Sequence, residues 1–286
     1  MLSGFYPLET KTKALVTDSL RKLKESIAQP NIAIKHNAYT DYCLAMLFIA
    51  TGHRPVNDPL EAEHLFDLEV GLILISDKVV HESRAWRLVA LPKMACTQLQ
   101  NYARYLEALP SHLNGLHDSK NIREEVYSLV AGQPKIPYFF YLDESNPVRR
   151  QAVSPAKLAE RWQEHWGLPI NYLRHCMATE LLQHSKRADL VSIQLGHITG
   201  TDHPFGATAG SSVKNALSLI AKQIEEILIS FGWSAQKLPI NKIGFNESSF
   251  LSKRQIGFSE VFGSKKRTVA RKRKREAESK IIKKAL

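Results

Sequence analysis

Val16, Leu20, Leu23 and Ile27 recur at helical spacing among charged positions and predict an amphipathic helix over residues 12–28. A second, more apolar helix is expected from about Asn37 to Ala50, with Gly52 suited to its C-terminal stop. The period then changes. The apolar, branched runs at 65–76 and 85–91, joined by the polar stretch 77–84, predict a hairpin or three short strands ended by Pro92. Met94, Leu99, Tyr102, Leu106 and Leu109 predict a helix over 93–109, followed by a loop over 110–121 and a short helix over 122–131. Residues 138–142 are a brief aromatic strand or extended segment. Ser154-Pro155 combines an N-cap with a first-turn proline and opens a helix to Trp166, which Gly167 and Pro169 break. Further helices are expected from Asn171 through Leu182 and over 187–195. A Gly-rich loop at 200–210 then leads to a long last helix marked by Val213, Leu217, Ile220, Ile224, Ile227 and Phe231. Beyond Gly232 the pattern fades. Helices, a small antiparallel β-sheet and more helices, in that order, predict an α+β fold in which helices dominate. Residues 1–237 read as one domain and 238–286 as a basic, flexible C-terminal tail.

Composition narrows the class. At 286 residues and 44% hydrophobic content the chain is not a disordered one. It has no apolar run of about 20 residues that would span a bilayer, and its first residues lack the apolar core of a signal peptide. A soluble, cytoplasmic protein without a membrane partner is the expectation. Cys43, Cys96 and Cys176 lie far apart in apolar contexts, which points to buried thiols rather than a metal site or a disulfide. The net charge of +11 is unevenly placed. Residues 264–286 hold eleven Lys/Arg and two Glu, so nine of the eleven net charges sit there and the remaining 263 residues carry only two. Such a segment neutralises phosphates without reading sequence.

Four short pieces fall in one order: Thr51-Gly52-His53-Arg54 directly after an apolar helix; Asp77-Lys78 at the turn of the hairpin; Asn171-Tyr172-Leu173-Arg174-His175 at a helix start; and Leu195-Gly196-His197. Together they resemble the catalytic core of the tyrosine recombinases of the phage-integrase family. That family carries a TGxR box, a hairpin lysine, an HxxR box and an LGH box, followed by a tyrosine. The resemblance covers roughly residues 10–232. Each box alone has a plainer reading. Arg54 and Arg174 would also serve as helix-end arginines, His175 and His197 as core histidines, and Arg84 or Arg87 as the hairpin's contact in place of Lys78.

The resemblance implies a mostly helical catalytic-domain-like fold, double-stranded DNA as partner, and phosphoryl transfer without metal or cofactor. Arg54 and Arg174 would clamp the non-bridging oxygens of the scissile phosphate, since a guanidinium is bidentate and always charged. Lys78 would be the general acid to the leaving oxygen. Asn171, where the family usually has histidine, can donate a hydrogen bond but cannot exchange a proton. His197 would donate to the phosphate or assist proton transfer.

One departure from the family is severe. The nine tyrosines are Tyr6, Tyr39, Tyr42, Tyr102, Tyr105, Tyr127, Tyr138, Tyr141 and Tyr172, so none follows His197. Ala207 and Thr208 stand where the family keeps an arginine and its nucleophilic tyrosine. A threonine hydroxyl ionises far less readily than a phenol, whose pKa is about 10, and it is shorter. Thr208, Ser211 and Ser212 remain the formal alternatives. Only about ten residues precede the first predicted helix, where the family usually has a core-binding domain. A fragment of a longer recombinase is therefore one expectation. The other is a chain that works as a homo-oligomer on DNA or with a partner recombinase that supplies missing parts. DNA binding with impaired strand cleavage is the expected function. The competing expectation is a non-catalytic nucleic-acid-binding accessory protein that acts through its basic tail.

Overall fold

The computed structural model describes residues 10–54, 66–68, 71–80, 83–131, 136–167, 169–196 and 210–238. Among these, eight helices and two small antiparallel sheets form a mostly helical α+β fold. Two helices come first, α1 (Thr10–Ile27) and α2 (Ile32–Thr51). A three-stranded sheet follows, in the order β1 (Phe66–Asp67), β2 (Leu72–Val80), β3 (Ser83–Ala90). Then come α3 (Lys93–Leu113) and α4 (Lys120–Val130), the paired strands β4 (Phe140–Leu142) and β5 (Arg150–Ala152), and α5 (Pro155–Trp166), α6 (Tyr172–Ser185), α7 (Ala188–Leu195) and α8 (Gly210–Ser230). No helix among the described residues is long and apolar enough to cross a membrane.

The long middle helix α2 is the axle of the fold. It packs against α1, α3, α6, α8 and β4, so it is buried on every side rather than along one stripe. Its start is fixed by Asn31, whose side chain accepts from the amides of Ala33 (2.9 Å) and Ile34 (3.1 Å). All-round burial forces its polar side chains to find partners. Asn37 exchanges two 2.8 Å bonds with the backbone of Leu142. Asp41, fully buried, accepts from the Tyr141 hydroxyl at 2.6 Å and from Arg161 of α5 at 2.7 and 2.8 Å. Burial pushes the Asp41 carboxyl up, but His165 and the Arg161 guanidinium outweigh that and hold it below the usual carboxylate range.

His36 is the third such group. The Phe140 carbonyl, 2.9 Å from Nε2, requires a proton on that nitrogen. Nδ1 is then left to accept from the Tyr105 hydroxyl at 3.1 Å. Burial lowers the His36 pKa from the usual 6.5 to about 4. Above pH 6.5 the imidazole is neutral folded or unfolded and costs nothing. Between pH 6.5 and 4 the unfolded chain takes up a proton that the folded one refuses, so stability falls with pH and levels off below 4. The expected loss across that window is roughly 2–3 kcal/mol. Urea midpoints measured from pH 7.5 to 4 check it: His36→Gln should flatten the profile, and an unchanged slope in that variant would assign the loss to other groups.

Within the described residues the predicted elements are found, with five corrections, and the loop expected at 200–210 lies outside those residues but for Gly210. Helix α2 opens at Ile32 rather than about Asn37, because Asn31 caps it there. The α3 stripe continues through Leu113, because Leu109 and Leu113 are both fully buried, and Pro110 is accommodated in its last turns. Helix α4 begins at Lys120, so the expected loop at 110–121 is reduced to a turn. Strand β5, only three residues long, had no periodic signal to find. Past Gly232 the chain is not featureless: Trp233 and Leu238 are buried, and the segment between them is strapped across α2 and α3. Tyr39 and Tyr42 donate to the carbonyls of Gln236 and Ser234 (2.8 and 2.7 Å), and Gln98 accepts from the Gln236 amide (2.7 Å). Residues 239–286, which include the basic segment, lie outside the described residues.

Candidate functional site

A helix ends with four carbonyls that its own amides cannot reach. At the C-terminus of α2 these carbonyls become the meeting point of the molecule. Gly52 takes the left-handed conformation, φ +60°, and its amide closes the last turn on the Phe48 carbonyl at 2.9 Å. The remaining acceptors are met from far along the chain. Gln194, on α7, donates its Nε2 to the Ala50 carbonyl at 2.7 Å. Arg87, on β3, donates to the carbonyls of Thr51 (3.0 Å) and Gly52 (3.3 Å) and to that of Gln194. Arg174, on α6, donates to the Gly52 carbonyl and, at 3.4 Å, to that of Leu195. Two guanidinium groups thus converge on one carbonyl oxygen at the negative end of a helix dipole, where cations are favoured.

Local sequence explains the convergence. Arg174 lies on the face of α6 that also presents Met177, Ala178 and Leu181, all buried, so it points inward with 7% of its surface exposed. Met177 seats directly on Gly52: a Cβ there would lie 2.6 Å from its terminal methyl and 2.8 Å from Leu195. Gly196, also left-handed at φ +64°, ends α7 and leaves room for the Arg87 side chain, whose Cδ would lie 2.6 Å from a Cβ at that position. Both box glycines are therefore there for conformation and for close approach.

The sequence-derived candidates distribute as follows. Arg54 follows the Gly52 turn by two residues and is partly exposed. His53, between them, is buried edge-on against the Phe48 ring. Arg174 is at the junction. Asn171 is exposed at the start of α6 and makes no side-chain capping bond. Lys78 is not at a hairpin turn: β2 continues to Val80, and Lys78 pairs with Ala85 just past an irregularity that begins at Ile75. A bulge there, two residues opposite one, extends the hairpin beyond where polar composition suggested a turn. The Lys78 side chain, His197, Ala207, Thr208, Ser211 and Ser212 lie outside the described side chains. The three cysteines are buried, as their apolar contexts implied.

Two residues of the junction escaped the sequence reading, Arg87 as more than an alternative and Gln194 altogether. Their signals were present: an arginine inside the apolar run Ala85–Leu91, and a glutamine inside the apolar helix just before Leu195-Gly196. Polar groups at buried positions of such elements need a stated partner.

Six of the nine tyrosines offer no accessible phenol. Tyr39, Tyr42, Tyr102, Tyr105, Tyr138 and Tyr141 are core residues, each no more than 2% exposed, several of them in ring contact with one another. Burial pushes the phenols of Tyr39, Tyr42, Tyr102, Tyr105 and Tyr141 up, away from ionisation.

Compared with known proteins, the chain matches no family model, no curated protein and no solved structure.

Proposed function

We propose that the chain is a DNA-binding protein of the tyrosine-recombinase type, with a fold like that family's catalytic domain, a role in DNA integration or recombination, and impaired strand cleavage. One observation carries the reading. Three of the four sequence boxes, far apart along the chain, meet at the C-terminus of α2, where Arg174 bonds both the Gly52 and the Leu195 carbonyls. Order in sequence and proximity in space are independent, and both support the resemblance; Arg174 itself points inward onto main-chain carbonyls. Arg54, partly exposed beside this junction, is the group that would meet a DNA oxygen first. The cleavage half is argued from Thr208 at the nucleophile's position and from the buried state of six tyrosines.

The test is a titration of a labelled 30-bp duplex with the full chain at several salt concentrations. Binding should weaken with salt, and Arg54→Ala should lower the slope of log affinity against log salt by about 1. A duplex nicked to trap covalent intermediates should yield no protein–DNA adduct; an adduct would refute the loss of cleavage. The second reading, an accessory protein working through its tail, is favoured by the nine net charges in residues 264–286. If deleting those residues abolishes binding entirely, the domain contributes little and that second reading stands.

A further inference from the structure

We propose that Arg87 is a positioning residue of this site: it holds the Gly52 turn, and with it Arg54, in fixed relation to the C-terminal end of α7. The inference rests on the DNA-binding reading above and adds to it a residue that the four sequence boxes do not contain. Its warrant is geometric. Arg87 is bonded to carbonyls on both sides of the junction, Thr51 and Gly52 on one and Gln194 on the other, as the box residue Arg174 is to Gly52 and Leu195. The residues next along the chain from those carbonyls are His53-Arg54 and Leu195-Gly196-His197.

The side chain is also confined. It lies against Gly196, where a Cβ would come within 2.6 Å of Cδ and 3.6 Å of its Cβ. Its backbone is fixed in β3 opposite Ile75, which is buried. A planar guanidinium with several donors on a rigid fork can hold three acceptors at once; a lysine ammonium on a flexible stem does so poorly. Helix α2 and helix α7 are thereby tied through β3, an element that belongs to neither. Gln194 reinforces the tie by bridging the Ala50 and Ala90 carbonyls at 2.7 and 3.4 Å. Placement of a charge to within about half an ångström is what such surrounding bonds provide to a binding group.

The experiment is a double-mutant cycle on the full chain with the same 30-bp duplex, measured well below each variant's melting temperature. Arg54→Ala and Arg87→Met should each weaken binding about tenfold, and the double variant should be no more than about twofold weaker than the worse single one, because a misplaced Arg54 has little left to lose. Arg87→Lys should fall between wild type and Arg87→Met. Losses that multiply independently would overturn the proposal, as would full binding by a thermally weakened Arg87→Met, since a merely structural arginine behaves that way. Amide hydrogen exchange gives an arm that needs no DNA. In Arg87→Met or, should that variant not fold, in Arg87→Lys, residues 51–54 and 194–196 should both exchange faster, and unchanged exchange in both segments overturns the hold. If Arg54→Ala leaves wild-type binding intact, the phosphate-binding reading fails instead, and the exchange arm still decides whether Arg87 ties the two segments.

Discussion

Asp41→Ala should destabilise the fold by about 3–5 kcal/mol, the usual cost of removing one partner of a buried ion pair. The reason is what the substitution leaves behind. Arg161, with only 11% of its side chain exposed, loses the carboxylate it meets at 2.7 Å and keeps its charge. The Tyr141 hydroxyl loses its acceptor at the same time. Glu144, at 3.3 Å and half exposed, is a weaker substitute. For a fold of this size the loss corresponds to a fall of about 10 °C in Tm. The pair itself need not be a net source of stability, since two buried charges lose solvation that their attraction only partly returns. Asp41→Leu combined with Arg161→Met should therefore be less damaging than Asp41→Ala alone. Thermal melts of Asp41→Leu, Arg161→Met and the double variant decide it: if the double variant shows the sum of the two single losses, the lone-charge explanation is wrong.

The second large effect is expected at Gly52, where Gly52→Ala should cost about 2–5 kcal/mol. Two terms add. A non-glycine residue held at φ +60° costs about 1–2 kcal/mol. The new methyl would also lie 2.6 Å from Met177 and 2.8 Å from Leu195, and forcing a filled core apart costs about 1–3 kcal/mol. Gly167 provides the control. It has nearly the same φ, +61°, but nothing lies within 4 Å of a Cβ there. Gly167→Ala should show the conformational term alone, about 1–2 kcal/mol. Equal losses at the two glycines, measured by urea unfolding, would remove the packing term from the account.

Much of the fold was legible because apolar spacing survives without knowledge of tertiary contacts. The stripes of α1, α3 and α8 and the Ser154-Pro155 start of α5 are local signals, and the structure follows them. Locality also explains what was missed. Helix α3 runs on past Pro110 because Leu113 is wanted in the core, and no local preference announces that demand. The strap from Trp233 to Leu238 is held by side chains of α2 and α3 more than 130 residues earlier, so its own composition could not reveal it. The candidate site divides the same way. Gly52 and Gly196 were readable as helix stops, and Arg174 as a member of a box. Arg87 and Gln194 showed only as polar residues inside apolar runs, and their acceptors could not be read, because these are main-chain atoms brought close by the fold.

Main-chain acceptors also govern how such a junction changes over generations. Carbonyls of Thr51, Gly52, Gln194 and Leu195 receive Arg87 and Arg174. Any amino acid at those four positions still supplies its carbonyl, so no replacement there can be answered by a matching replacement at either arginine. The arrangement would leave no trace of paired drift between positions. A comparison built on correlated changes between the arginines and those four positions would pass over this junction.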